Sequence, residues 1–161
     1  MNVRPDQSQR TVWQRAVSDI DALAATVRIL QQDRATTLAR LQEALRDIQE
    51  RMAALHLLSF LDADYVIALT DTLVSLSLSH GDALAVREVL GGLPHDKAVR
   101  TVPAAIWKQL GETDDDDAYR RLAELLRHLG LGTALRELCE RALASDDPAV
   151  REVAEDFGSW A

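Results

Sequence analysis

The sequence predicts an all-α protein: a long N-terminal coiled-coil-like helix followed by a short, solenoid-like stack of α-hairpins. Three observations predict it. Leu and Ala are abundant while aromatic residues make up 4% and Gly and Pro are few, which favours helices because unbranched side chains lose little rotamer freedom there. Residues 11–58 contain no Gly or Pro and carry apolar residues at alternating three- and four-residue steps. Beyond residue 58, breaker and capping clusters return at regular intervals.

Residues 1–10, MNVRPDQSQR, precede the pattern and are expected to form a disordered lead-in; they lack the apolar core of a signal peptide. The segment 11–58 then carries a seam through Trp13, Ala16, Ile20, Leu23, Val27 and Leu30. After QQDRATT it resumes at Leu38, Leu41, Leu45, Ile48, Met52 and Leu55. Such a/d spacing marks a helix that packs along one narrow stripe. The step from Leu30 to Leu38 is twice four residues, a stutter compatible with one continuous, locally unwound helix. The alternative is a break at Asp33–Thr37 into two antiparallel helices, with Asp33 and Thr36 available as caps. Missing Gly and Pro favour the continuous helix. Either way the stripe must be covered, and a second copy of the same helix is the simplest cover. Trp13, Ile20, Leu23, Val27, Leu30, Leu38, Leu41, Leu45 and Ile48 are therefore the expected oligomer interface, in a homodimer or as a subunit of a larger assembly.

Residues 59–161 read as a domain of short helices near 62–79, 82–91, 94–110, 115–129, 133–144 and 148–158. SHGD, GGLP, LGET, GLG and SDDP punctuate them, each a Gly that ends one helix or a polar residue that caps the next. Pro103 is expected to kink or split the third segment. The end of the long helix is expected to pair with 62–79 as a first hairpin, and the last helix to cap the stack.

Three segments align: AVREVLGGL at 85–93, AYRRLAELL at 118–126 and AVREVAEDF at 149–157. Val86, Tyr119 and Val150 coincide, as do Arg87, Arg120 and Arg151; Val89, Leu122 and Val153; and Leu93, Leu126 and Phe157. A period near thirty residues built from two short helices is an α-hairpin repeat signature. The stretch 118–148 resembles one tetratricopeptide unit, with Tyr119, Leu122, Ala123 and Leu126 at first-helix packing positions, Gly130 at the turn and Ala142 near the end of the second helix. It departs from that pattern at Leu135, where a small residue is expected, and at Pro148, one place late; SDDPAVREVA also resembles HEAT-type units. The resemblance extends loosely over 86–158 and implies a protein-binding scaffold.

Charge narrows the choice of partner. The net charge is −8, and residues 59–161 hold ten basic against nineteen acidic groups, so nucleic acid and anionic membranes are disfavoured partners. The most apolar region, 52–79, is interrupted by Asp62, Asp64 and Asp71, so no membrane span is expected. One cysteine, Cys139, allows no intrachain disulfide. A cytoplasmic location is expected.

Asp114, Asp115, Asp116 and Asp117 are the most conspicuous polar run. Thr113 is the expected N-cap of the helix they precede, with Asp116 completing a capping box, and the other acids favour the helix N-terminus. Successive helical side chains diverge by about 100°, so these carboxylates do not converge on one ion. As an acidic knob, they and Trp160 form the candidate partner surface. His56, His80, His95 and His128 are scattered; His56, on an apolar segment, is expected in the core. Cys139 reads as a buried inert thiol. Arg120–Glu124 and Arg136–Glu140 have the spacing of intrahelical ion pairs. Trp107 is expected in the repeat core.

No base can be named for Cys139, Ser75, Ser77 and Ser79 lack a nucleophile-elbow pattern, no phosphate-binding glycine loop is present, and no cofactor is implied. The expected function is a non-catalytic protein–protein interaction module: an adaptor, accessory or regulatory subunit, or immunity protein. One alternative is a helical enzyme with a metal site assembled from Asp62, Asp64, His80 and His95. Another is nucleic-acid association through Arg28, Arg34, Arg40, Arg46 and Arg51, although Asp33, Glu43, Asp47 and Glu50 interleave with them.

Overall fold

Ten α-helices and a closing 3-10 turn make up the described part of the chain, residues 7–112 and 115–160 of a computed structural model, with no strand among those residues. In order they are α1 (Gln7–Gln32), α2 (Arg34–Arg46), α3 (Arg51–Leu58), α4 (Ala63–Ala68), α5 (Thr70–Leu76), α6 (Ala83–Gly91), α7 (His95–Glu112), α8 (Asp116–His128), α9 (Gly132–Leu143) and α10 (Pro148–Phe157). The 3-10 turn spans Gly158–Trp160. Contacts divide the chain into two units, Met1–Ala39 and Arg40–Ala161.

The segment 11–58 is three helices and not one. The first break is at Asp33, whose carboxylate accepts from the Thr36 amide at 3.1 Å and so caps α2. Thr37 ties the two sides together, its hydroxyl donating to the Leu30 carbonyl at 2.7 Å. The second break, at 47–50, falls where the apolar spacing is unbroken. There the Gln49 amide turns back onto the Asp47 carboxylate at 2.9 Å. Arg51 closes the end of α2 by donating to the carbonyls of Leu45 and Arg46 at 2.8 and 3.4 Å. Cationic donors are favoured at such C-terminal carbonyls. The lead-in 1–10 lies largely outside the described residues; its last four positions already belong to α1.

In the second unit, α5 packs on α6 and α7, while α3 packs chiefly on α6. The first hairpin is therefore not the expected pairing of 51–58 with 62–79. That later segment is itself two helices: the Thr70 hydroxyl back-bonds to the Val66 carbonyl at 3.0 Å, a contact that competes with the helical ladder and bends it, and Leu69 leaves helical geometry. Pro103 does not split α7, which runs through it to Glu112. The ring removes the amide that would bond the Val99 carbonyl, and Val99 lies on the exposed side of the helix.

The C-terminal helices α8, α9 and α10 all pack on one another, and both α6 and α7 touch α8. Successive helices thus pair as hairpins at the C-terminal end, whereas α6 and α7 each lean on α5 more than on each other. All nine aligned apolar positions are buried, from Val86, Tyr119 and Val150 through to Leu93, Leu126 and Phe157. Tyr119 keeps its hydroxyl satisfied by accepting from Arg141 Nε at 3.0 Å. Between α8 and α9 the chain reverses at Gly130, φ 66°, in a Schellman arrangement: Gly130 donates to the Arg127 carbonyl and Leu131 to the Leu126 carbonyl. The accompanying apolar contact is available, since Leu126 and Leu131 are both buried. Pro148 opens α10 at a position where its missing amide costs nothing, and Asp147 caps it by accepting from the Ala149 amide at 2.9 Å.

Candidate interaction surface

Alternating spacing on α1 places Val12, Trp13, Ala16, Val17 and Ile20 along one stripe. Their side chains face solvent. Trp13 is 71% exposed and Ile20 65%, with Val12 and Val17 also open, so that four exposed large apolar groups fall within one short stretch of α1. Farther along α1 the stripe closes: Leu23 and Leu30 are half-buried and Val27 is buried. Polar groups border the open part, with Arg15 4.0 Å from Asp19 and both strongly exposed. Isolated exposed apolar residues need no explanation, but a contiguous row on one helix marks an interaction face.

The expected interface residues therefore separate. Leu41 and Leu45 are already covered in the second unit, Leu45 completely, so they are not available to another chain. Leu38 is half-buried, and Ile48, 75% exposed, sits in the turn between α2 and α3 and not on a helix. The break at 47–50 rotates Ile48 off the seam its spacing suggested.

Thr113 and Asp114, the expected cap and the first member of the acidic run, lie outside the described residues. Asp115 is the N-cap of α8, accepting from the Ala118 amide at 2.8 Å. Asp117 accepts from Arg121 Nε at 2.9 Å, and Arg121, buried, also rests against the ring of His80. Two of the acids thus serve the fold, and Asp116 faces solvent in the first turn. Trp160 is 58% exposed and lies over the Arg127 guanidinium, 3.8 Å from its ring centroid, a cation–π contact that pins the C-terminal turn. Trp107 is half-buried beside the buried Ile106.

Several polar residues take unexpected partners. Arg120 pairs not with Glu124 but with Asp156 of α10 at 2.7 Å, and that contact raises its pKa above the ordinary arginine value. Glu124 instead pairs with Arg87 of α6. His56 is exposed and not in the core, because α3 buries Ala54, Leu55 and Leu58, and one further residue rotates the side chain away. Cys139 is buried, and burial pushes its thiol pKa up. Among the described residues no group of three or more His, Cys, Asp or Glu side chains is placed to hold a metal ion. In particular, Asp62, Asp64, His80 and His95 do not converge. Of the arginines considered for nucleic acid, Arg40 is engaged by Glu43 and Glu50, and Arg51 by Asp82 and two carbonyls. No helix of the described residues is long and apolar enough to cross a membrane.

A cleft of about 270 Å³ lies between His95, Val99 and Pro103 of α7 and the Gly130–Ala134 turn, with Glu137 at its edge. Its polar side chains are those of His95, Thr133 and Glu137. Compared with protein-family models, curated proteins and solved structures, the chain matches none.

Proposed function

We propose that this chain is a non-catalytic interaction module that self-associates through α1 and presents its acidic helical unit to a protein partner. The open stripe Val12, Trp13, Val17 and Ile20 carries the reading, because leaving these groups in water forgoes about 1.5–3 kcal/mol for each large side chain that a partner would bury. The cross-helix pairs Arg87–Glu124 and Arg120–Asp156 support a repeat-like second unit. Two of the three aligned arginines reach to the next helix but one, from α6 to α8 and from α8 to α10. Its excess of acids suits a basic partner surface, for which the exposed Asp115, Asp116, Asp117 and Trp160 are the candidates among the described residues of the expected set, and the cytoplasm is the proposed compartment.

Sedimentation equilibrium tests the first half. The wild-type chain is expected to dimerise in the micromolar range, and Trp13→Ser with Ile20→Ser to leave a monomer of unchanged helicity. A wild-type chain that stays monomeric at the highest soluble concentration sinks the reading.

A further inference from the structure

The charges bordering the open stripe specify how two copies would meet. At about 100° per residue, Arg15 and Asp19 lie along one edge of the stripe, and Arg10 and Asp21 along the other. Two helices packed antiparallel bring each edge against the same edge of the partner, running in reverse; parallel packing brings opposite edges together. The antiparallel option, with its two-fold axis passing between Ala16 and Val17, places Trp13 opposite the second copy's Ile20. It sets Arg15 level with the second copy's Asp19, and Arg10 with its Asp21, to within about 3 Å along the axis. Four opposite-charge pairs result, because every contact in a two-fold interface occurs twice. In-register parallel packing sets Asp19 against Asp21 instead, a like-charge juxtaposition, and stacks Trp13 on itself. Ala16 at the centre leaves room beside the indole, as small residues do at close helix crossings.

From this complementarity we infer that the occupant of the stripe is a second copy of this chain, docked antiparallel about Ala16 and Val17. The inference rests on the self-association proposed above and adds its geometry. It accounts for a pattern that self-association alone leaves unexplained, namely acids confined to one half of the open stripe and arginines to the other. Leu41 and Leu45, covered within the chain, take no part.

Spin labels on the full chain test it. Gln14→Cys and Arg28→Cys are labelled separately, the buried native Cys139 being protected in the folded protein. Antiparallel packing separates the two site-14 labels by about 8 Å along the axis and the two site-28 labels by about 35 Å, beyond the interaxial spacing of about 8–10 Å. A short distance at 14 with a long one at 28 is expected. Short distances at both sites overturn the antiparallel geometry while leaving self-association intact. No dipolar coupling, with a monomer by sedimentation, overturns both and assigns the stripe to another protein. Charge exchange provides a second readout that does not depend on labels. Arg15→Glu alone is expected to weaken dimerisation about tenfold, since the change acts twice. Arg15→Glu with Asp19→Arg restores it, and failure of that restoration also overturns the proposal.

Discussion

Arg51 lies 2.9 Å from the carboxylate of Asp82, the least exposed ion pair among the described residues, and the same guanidinium closes the carbonyl end of α2. Its planar fork satisfies three acceptors at once: Asp82 and the carbonyls of Leu45 and Arg46. One side chain thereby terminates a helix and ties the start of α3 to the start of α6. Asp82→Ala leaves that guanidinium partly buried without its counter-charge, a change that costs about 1–3 kcal/mol after allowing for the remaining exposure. Arg51→Lys is expected to cost a similar amount despite keeping the charge, because an ammonium lacks the fork. Urea denaturation checks both, and a loss under about 0.5 kcal/mol in either variant removes the pair from the stabilising set.

Gly130 and Gly132 flank the same turn with opposite demands. Gly130 has positive φ, where a Cβ costs about 1–2 kcal/mol. Gly132 opens α9 with negative φ, and an added Cβ there meets nothing within 4 Å. Gly130→Ala is therefore expected to lower the melting temperature by several degrees. Gly132→Ala should raise stability by about 0.4–1 kcal/mol by restricting the unfolded chain. Calorimetry on the two variants separates backbone strain from side-chain crowding, because neither site is crowded.

The acidic run divides by role. Asp115→Ala removes the N-cap of α8 and is expected to cost about 1 kcal/mol. Asp117→Ala frees buried Arg121 from its nearest carboxylate and should also destabilise. Asp116→Ala changes stability by less than about 0.5 kcal/mol, the usual range for a surface site. If Asp116 proves the most costly of the three, the capping account fails and a ligand role for the run returns.

How far such features can be read in advance depends on whether their causes are local. Helices at 82–91, 115–129, 133–144 and 148–158 fall within a residue or so of α6, α8, α9 and α10, because Gly130, Asp147 and Pro148 act on their own neighbours. The break at Asp33 was visible as a cap signal, but the missing Gly and Pro outweighed it. The turn at 47–50 had only a short-range signature, Asp47 two residues before Gln49. The partner that holds Arg51 there, Asp82, lies thirty-one positions away. Arg120 likewise has an acid four residues on, and only the adjacency of α8 and α10 reveals that Asp156 takes it. Spacing alone identified the seam, yet which part of it stays open was settled by burial: Val27 on α1 and Leu41 and Leu45 on α2 are covered, whereas Trp13 and Ile20 are not.

Acid should loosen the junction between α1 and α2 only below the ordinary carboxylate range. Asp33 is held below the ordinary carboxylate range by hydrogen bonds from the Thr36 side chain and then its amide. A carboxyl whose folded pKa is depressed contributes stability that is complete above its unfolded pKa and is lost as pH falls through the folded value. Stabilisation of the α2 start is therefore expected to hold at neutral pH and to decline in the acid range below the unfolded carboxylate pKa, about 3.9. Asn caps a helix about as well as Asp but does not titrate. Asp33→Asn should consequently leave neutral-pH helicity nearly unchanged and flatten the acid limb. The Thr36 amide resonance, followed by NMR through an acid titration, reports the event directly: it shifts with the Asp33 carboxyl in the wild-type chain and loses that titration in the variant. A Thr36 amide that titrates identically in both would assign the effect to another carboxylate and leave the helix break without its cap.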